Sequence, residues 1–138
     1  MVQILFADEK AFLAWANDLD LAAKIAVRVT LKMVGGTPDL KKLPVKLVKQ
    51  LHSDICELRI GKTLNEALNT VSAQKPESLG ALSEPVLLRV FVAELRVKSL
   101  LVLSGYDKGA DRGPSKQKLE IDKSIEILHA WRLQNDVF

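Results

Sequence analysis

The sequence contains very few of the residues that form disulfides or hold metal ions, with one cysteine and two histidines among 138 residues. Cys56 cannot form an intramolecular disulfide, and its apolar surroundings are typical of a packed thiol in a reducing compartment. No cysteine and histidine cluster has zinc-site spacing, and the sequence has neither a P-loop nor a dinucleotide-binding glycine motif. We therefore expect neither a metal ion nor a nucleotide cofactor.

No segment is predicted to enter a membrane, because the apolar residues 2–6 are followed at once by Asp8, Glu9 and Lys10. We expect a cytoplasmic protein with no membrane partner. A hydrophobic content of 48% and a charged content of 27% are ordinary for a globular protein, and the length favours a single domain over residues 1–138. The net charge of +3 permits an anionic partner without requiring one.

The N-terminal part predicts a strand followed by two helices. Residues 2–6 form the strand, and Asp8 can cap the first helix. A second helix should end at Gly35 and Gly36. We expect the two helices to pack as a hairpin on one face of a sheet. The apolar positions of the second helix recur every four residues, at Leu21, Ile25, Val29 and Met33.

Residues 39–52 form a basic stretch that has two interpretations. Such a run is usually a solvated face, but it can also attract nucleic acid electrostatically. The pattern alone does not decide between them. The candidate RNA-binding residues of this stretch are Lys41, Lys42, Lys46 and Lys49.

Residues 54–60 alternate between apolar and charged side chains, which predicts a half-buried strand. Glu57 and Arg59 should point away from the core. Two more strands are predicted at residues 86–95 and 99–104, and Arg89 alternates with the more apolar side chains of the first of them. The side chains of residues 54–60 that should face the core are Cys56, Leu58 and Ile60.

Residues 62–85 separate these strands and read as an insertion into the sheet. Thr63 and Glu66 form a capping box in front of apolar positions, so a helix of about ten residues is expected there. Such a helix must bury its apolar side against something, either as a lid, as a partner-binding element or as part of the core.

A loop from Gly105 to Pro114 connects the last strand to a final helix that begins at Pro114. Glycines let the backbone approach a ligand closely, and the cations Lys108 and Arg112 would suit a phosphate group. An ordinary polar connection between a strand and a helix is the other interpretation.

Four short motifs follow one another along the chain: Glu57-Leu58-Arg59, Leu88-Arg89-Val90, Gly105-Tyr106-Asp107-Lys108 with Pro114, and Glu120-Ile121. In this order they resemble the RelE/ParE superfamily of bacterial toxins, in particular its HigB-like, phage-derived branch. The resemblance covers nearly the whole chain. The sequence departs from the family pattern where Gly109 replaces a second lysine, where Leu88 replaces a tyrosine, at the insertion, and at Trp131 in place of a terminal tyrosine.

The resemblance implies an α+β, RelE-like microbial RNase fold. It would have a small antiparallel sheet, two N-terminal helices packed on one face, an inserted helix and a short C-terminal helix. It also implies the toxin of a type II toxin-antitoxin system, a metal-free endoribonuclease that cuts messenger RNA on the ribosome. A cognate antitoxin, typically a helix-turn-helix protein, would restrain it.

The resemblance also implies roles for four candidate catalytic residues. Arg59 and Arg89 would clamp the phosphate, because the arginine fork holds two phosphate oxygens. Arg112 would be a phosphate contact or the acid, and Lys108 would be the base or a fourth electrostatic contact. Taken alone, the two strand arginines could instead pair with an acid such as Glu57 or Glu94. The alternative functions are a ParE-like gyrase inhibitor and a catalytically degenerate toxin that acts as a binding module.

Overall fold

The structure is a computed structural model that describes residues 3–36, 43, 47–51, 54–60, 87–95, 99–108 and 113–135. The fold class is α+β, as expected, with three helices and a five-stranded sheet in these residues. None of the three helices is long and apolar enough to cross a membrane. The elements are β1 (Gln3–Phe6), α1 (Glu9–Asn17), α2 (Leu21–Gly35), β2 (Val48–Gln50), β3 (Ile55–Ile60), β4 (Leu88–Leu95), β5 (Ser99–Asp107) and α3 (Pro114–Asn135).

The strands form one sheet in the order β1-β5-β4-β3-β2. The neighbours β2, β3, β4 and β5 are antiparallel, whereas β1 runs parallel to β5. The expectation of an antiparallel sheet was therefore wrong for this edge. Because β1 and β5 are far apart in the sequence, no hairpin turn sets their relative direction.

Each N-terminal helix begins at an aspartate cap. The Asp8 side chain accepts a hydrogen bond from the Ala11 amide at 3.0 Å, which confirms the predicted start of α1. Asp20 caps α2 in the same way, through the Ala23 amide at 2.8 Å. The predicted glycine stop is also confirmed, since Gly35 is the last residue of α2.

Helices α1 and α2 cover one face of the sheet, as expected; we call it the α1–α2 face. Cys56 packs on this face, and the buried strand residues there are Leu58, Ile60, Leu88, Val90, Val92, Leu100 and Val102. The predicted alternation of β3 is therefore confirmed.

The buried side of α2 differs from the predicted stripe. Ala23, Ala26 and Val27 are buried, whereas Leu21 is 62% exposed. The other three stripe positions, Ile25, Val29 and Met33, are only partly buried. Small alanine side chains let α2 approach the sheet closely. The predicted stripe was based on the spacing of large apolar residues, and these lie at the edge of the contact.

Helix α3 covers the opposite face, which we call the α3 face. It has 22 residues, so the expectation of a short C-terminal helix was wrong. The helix is long because apolar side chains recur along it and pack over three strands of the sheet. The main contacts on this face are Ile55, Phe91, Ala93, Leu101, Leu103 and Tyr106 from the strands, with Ile121, Ile125, Leu128 and Trp131 from α3.

Two strand boundaries also differ from expectation. β5 continues to Asp107, so residues 105–107 belong to the sheet and the loop after it begins later than predicted. Part of the basic stretch, Val48–Gln50, pairs with β3 as an edge strand that the sequence did not predict, because lysine and glutamine are poor strand markers. The expected helix in residues 62–85 and the connection at 96–98 lie outside the described residues.

Candidate functional site

Arg59 and Arg89, here called the arginine pair, lie directly opposite each other on neighbouring strands. They are Cα partners in the β3–β4 register and share the α3 face. Their side chains are 36% and 11% exposed, so Arg59 reaches solvent more than Arg89 does. The sequence predicted that Arg59 would point away from the α1–α2 core, and it does. It did not predict that a long helix would cover part of that face.

A single carboxylate, Glu57, contacts both members of the arginine pair. Glu57 is completely buried, and its Oε1 lies 3.1 Å from Arg59 Nε and 3.6 Å from Arg89 Nε. The first contact is a hydrogen bond, and the second is an ion pair too long for one. Gln117, in the first turn of α3, donates to the other oxygen, Oε2, at 3.1 Å. A buried carboxylate requires such partners, because its desolvation is costly.

The pKa of Arg89 is changed by its burial and by three neighbouring side chains. Burial lowers the pKa of the Arg89 guanidinium from its ordinary value, Glu57 and Tyr106 oppose this, and the neighbouring Arg59 lowers it further. Arginine nevertheless stays protonated in proteins. Two guanidinium groups therefore share one carboxylate, and this cluster retains an excess of positive charge that an anion such as phosphate can compensate.

Tyr106 lies next to the arginine pair on β5, and Lys108 is the first residue after that strand. Tyr106 is the Cα partner of Arg89, and its buried ring stacks on Phe91 with centroids 5.8 Å apart. It is thus a packing residue. Lys108 follows two residues later, just beyond the end of β5, and its amide donates to the Leu87 carbonyl at 2.8 Å. Its side chain is half-buried.

Lys49 is the one candidate RNA-binding lysine within the described residues, and it is exposed on β2. It is the Cα partner of Glu57, which puts it on the α3 face beside the arginine pair. Of the predicted site residues, Lys41, Lys42, Lys46 and Arg112 lie outside the described residues.

Gln117 is a site residue that the sequence did not reveal. It lies 60 residues from Glu57 along the chain, and no motif connects the two positions. Glu57 itself was recognised as a possible ion-pair partner. Its complete burial could not be predicted, because that depends on how α3 lies over the sheet.

Gly105 has a different role from the one expected. A Cβ atom at this position would lie only 2.5 Å from Trp15 Cη2, so the close approach is to an indole ring rather than to a ligand. Trp15 belongs to α1 and also contacts Phe12, with ring centroids 5.4 Å apart. Gly105 is therefore a packing requirement of β5.

A cleft in the described residues lies away from the arginine pair. It has a volume of about 810 Å³ and lies between β5, Trp15 and α3. Lys116 and Lys123 line it, and both pair with the buried Glu120. Because both lysines already pair with Glu120, and Asp107 and Glu126 add further negative charge to the lining, this cleft is less suited to an anion than the arginine pair.

Comparison with known proteins assigns no family: no protein-family model matches the chain, and no curated protein matches it significantly.

Proposed function

We propose that this protein is a metal-free endoribonuclease, the toxin of a type II toxin-antitoxin system, which cuts messenger RNA on the ribosome. One observation carries the proposal: Arg59 and Arg89, far apart in the sequence, are Cα partners on one sheet face and share one buried carboxylate. The motif resemblance supplies the substrate class. A cytoplasmic location and an antitoxin partner belong to the same proposal.

The proposed reaction breaks one phosphodiester bond. The ribose 2′-oxygen attacks the adjacent phosphorus, and the bond from phosphorus to the leaving 5′-oxygen breaks. A base takes the 2′-hydroxyl proton and an acid protonates the 5′-oxygen, which leaves a 2′,3′-cyclic phosphate and a 5′-hydroxyl. Negative charge accumulates on the non-bridging oxygens in the transition state, so fixed cations accelerate the step.

The arginine pair suits the charge-stabilising role. A guanidinium group donates two parallel hydrogen bonds to phosphate oxygens and keeps its charge at all relevant pH values. Lys108 is proposed as the base or as a further contact, and Arg112 as a phosphate contact or the acid. Lys49 is proposed to bind the RNA backbone beside the site, and Lys41, Lys42 and Lys46 to extend that contact.

A second function is favoured by the burial of Arg89. Its side chain is only 11% exposed and already faces Glu57, which is the arrangement of a structural ion pair. A binding module built on the same fold, either a gyrase inhibitor or a degenerate toxin, would need the arginine pair for stability and not for chemistry.

Induced expression in bacteria separates these functions. Wild type is compared with Arg89→Ala and Lys108→Ala, and with Arg132→Ala as a matched control. Arg132 pairs with Asp54 at 3.2 Å and takes no part in the arginine pair. Growth is followed, messenger cuts are mapped by primer extension, and soluble expression is verified for every variant.

Growth arrest with cuts at ribosome-bound positions, lost in Arg89→Ala and kept in Arg132→Ala, is the expected result. Comparing the loss of cleavage in Lys108→Ala with that in Arg89→Ala shows which of the two residues contributes more. Arrest with intact messages would point to gyrase or another bound target. If wild type is expressed in soluble form and growth is not arrested, the proposal of an active toxin is contradicted and the catalytically degenerate toxin is favoured.

A further inference from the structure

Glu57 uses its two oxygens for two different kinds of partner. Oε1 lies between the Nε groups of the arginine pair, and Oε2 accepts a hydrogen bond from Gln117 on α3. All three facing groups are N–H donors. A carboxylate suits them because both of its oxygens are acceptors: it accepts hydrogen bonds from Arg59 and Gln117 and forms a longer ion pair with Arg89. An amide would instead present its own N–H₂ group to one of these donors.

The contacts of Glu57 involve only the Nε edge of each guanidinium group. Arg89 directs Nη1 to the Leu88 carbonyl at 2.9 Å. The Nη atoms of Arg59 make no hydrogen bond to another residue that the structure describes. Glu57 therefore restrains both side chains at Nε, and among the described residues no acceptor is bonded to the Nη atoms of Arg59. Phosphate is bound most strongly by paired donors of this kind.

We propose that Glu57 is a positioning residue that holds the arginine pair by its Nε edges, so that the Nη donors converge on one phosphate group of an RNA strand. The identity of this ligand rests on the proposed ribonuclease function. The orientation of the two arginines is a property of the folded protein, and it can be measured without RNA.

Three variants test the positioning. Glu57→Gln keeps the size of the side chain but places a donor against a donor. Glu57→Asp keeps the charge but shortens the side chain by one methylene group. This variant tests the positioning if Glu57→Gln does not fold. The exchange Glu57→Gln/Gln117→Glu moves the carboxylate onto α3 and leaves an amide oxygen for the arginines, so it should restore part of the lost function.

Glu120→Gln is the matched control. Glu120 is the other buried acid of the described chain, and it pairs with two cations, Lys116 and Lys123, at 2.9 and 3.6 Å. Its ion pairs are all within α3, so its loss should cost stability without disturbing the arginine pair.

The first readout is the side-chain Nε–H signals of Arg59 and Arg89 in NMR spectra of isotopically labelled protein. In Glu57→Gln and Glu57→Asp these signals should shift and exchange faster with water, whereas Glu120→Gln should leave them in place. The second readout is the affinity for a labelled single-stranded RNA oligonucleotide, at a temperature where every variant is folded. Glu57→Gln should lower it by about tenfold, the effect of one lost charge-assisted hydrogen bond, and the exchange variant should recover part of it.

Unchanged arginine signals in a folded Glu57 variant would overturn the inference, and so would an equal loss of affinity in Glu120→Gln. If wild type binds no RNA, the proposed function fails, and the arginine signals alone decide whether Glu57 positions the pair.

Discussion

Gly105→Ala should destabilise the protein because of one side chain, Trp15. The new Cβ would lie 2.5 Å from Trp15 Cη2 and 3.0 Å from Cε3, so the indole ring must move by about 1 Å to reach an ordinary contact distance. Its contact with Phe12 opposes that movement. Overpacking of this kind costs about 1–3 kcal/mol. Alanine also restricts the unfolded chain, which offsets about 0.4–1 kcal/mol.

The net loss should be about 1–2 kcal/mol, which corresponds to a fall in Tm of about 4–8 °C for a domain of this length. Thermal unfolding followed by circular dichroism measures it. In a Trp15→Leu background the ring is absent, so Gly105→Ala should become neutral or slightly stabilising. Gly36→Ala is the control, since its Cβ would meet carbonyl oxygens at 3.6 and 3.7 Å and should be tolerated.

An equal effect of Gly105→Ala in both backgrounds would refute this explanation. It would mean that the glycine is required by the backbone, or by a ligand, and not by the indole ring.

Three further predictions concern other parts of the fold. Asp20→Ala removes the α2 cap and should lower the free energy of unfolding by about 1 kcal/mol in denaturant titration, with Asp20→Ser close to wild type. Burial, helped by Glu94, raises the pKa of the Cys56 thiol, so less thiolate is present near pH 8 than in a free thiol. Alkylation of native protein should therefore be slower than that of unfolded protein, and equal rates would contradict the burial. Arg132→Ala breaks a partly exposed pair with Asp54 and should cost less than about 1 kcal/mol, with a smaller loss at high salt.

Local signals in the sequence correctly predicted the start of α1, the end of α2 and the alternation of β3. The aspartate cap at Asp8, the glycine stop at Gly35 and the alternation of residues 54–60 each act over a few residues, and the structure confirms all three. Features set by distant contacts were missed. The parallel β1–β5 pairing and the length of α3 depend on which surfaces remain to be covered after the sheet has formed.

In the candidate site, too, the features set by local signals could be predicted and those set by distant contacts could not. The motif resemblance selected Arg59 and Arg89 as candidates for a phosphate clamp, and the β3–β4 register makes them neighbours. The sequence could not show that Glu57 would be buried between them, or that Gln117 would reach it, because both depend on α3 crossing that face. The buried acid is tolerated here because it accepts hydrogen bonds from Arg59 and Gln117 and forms an ion pair with Arg89, and none of these contacts is a local pattern.

Cleavage of a messenger RNA by purified protein and purified ribosomes is the most direct test of the proposed ribonuclease function. The assay follows an end-labelled message bound to ribosomes and identifies the new ends of the products. We expect cuts that leave a 2′,3′-cyclic phosphate, a rate about 100-fold lower in Arg89→Lys, and an unchanged rate in Arg132→Ala. An uncut message, or equal rates in wild type and a folded Arg89→Lys variant, would contradict the proposal that the arginine pair carries out this chemistry.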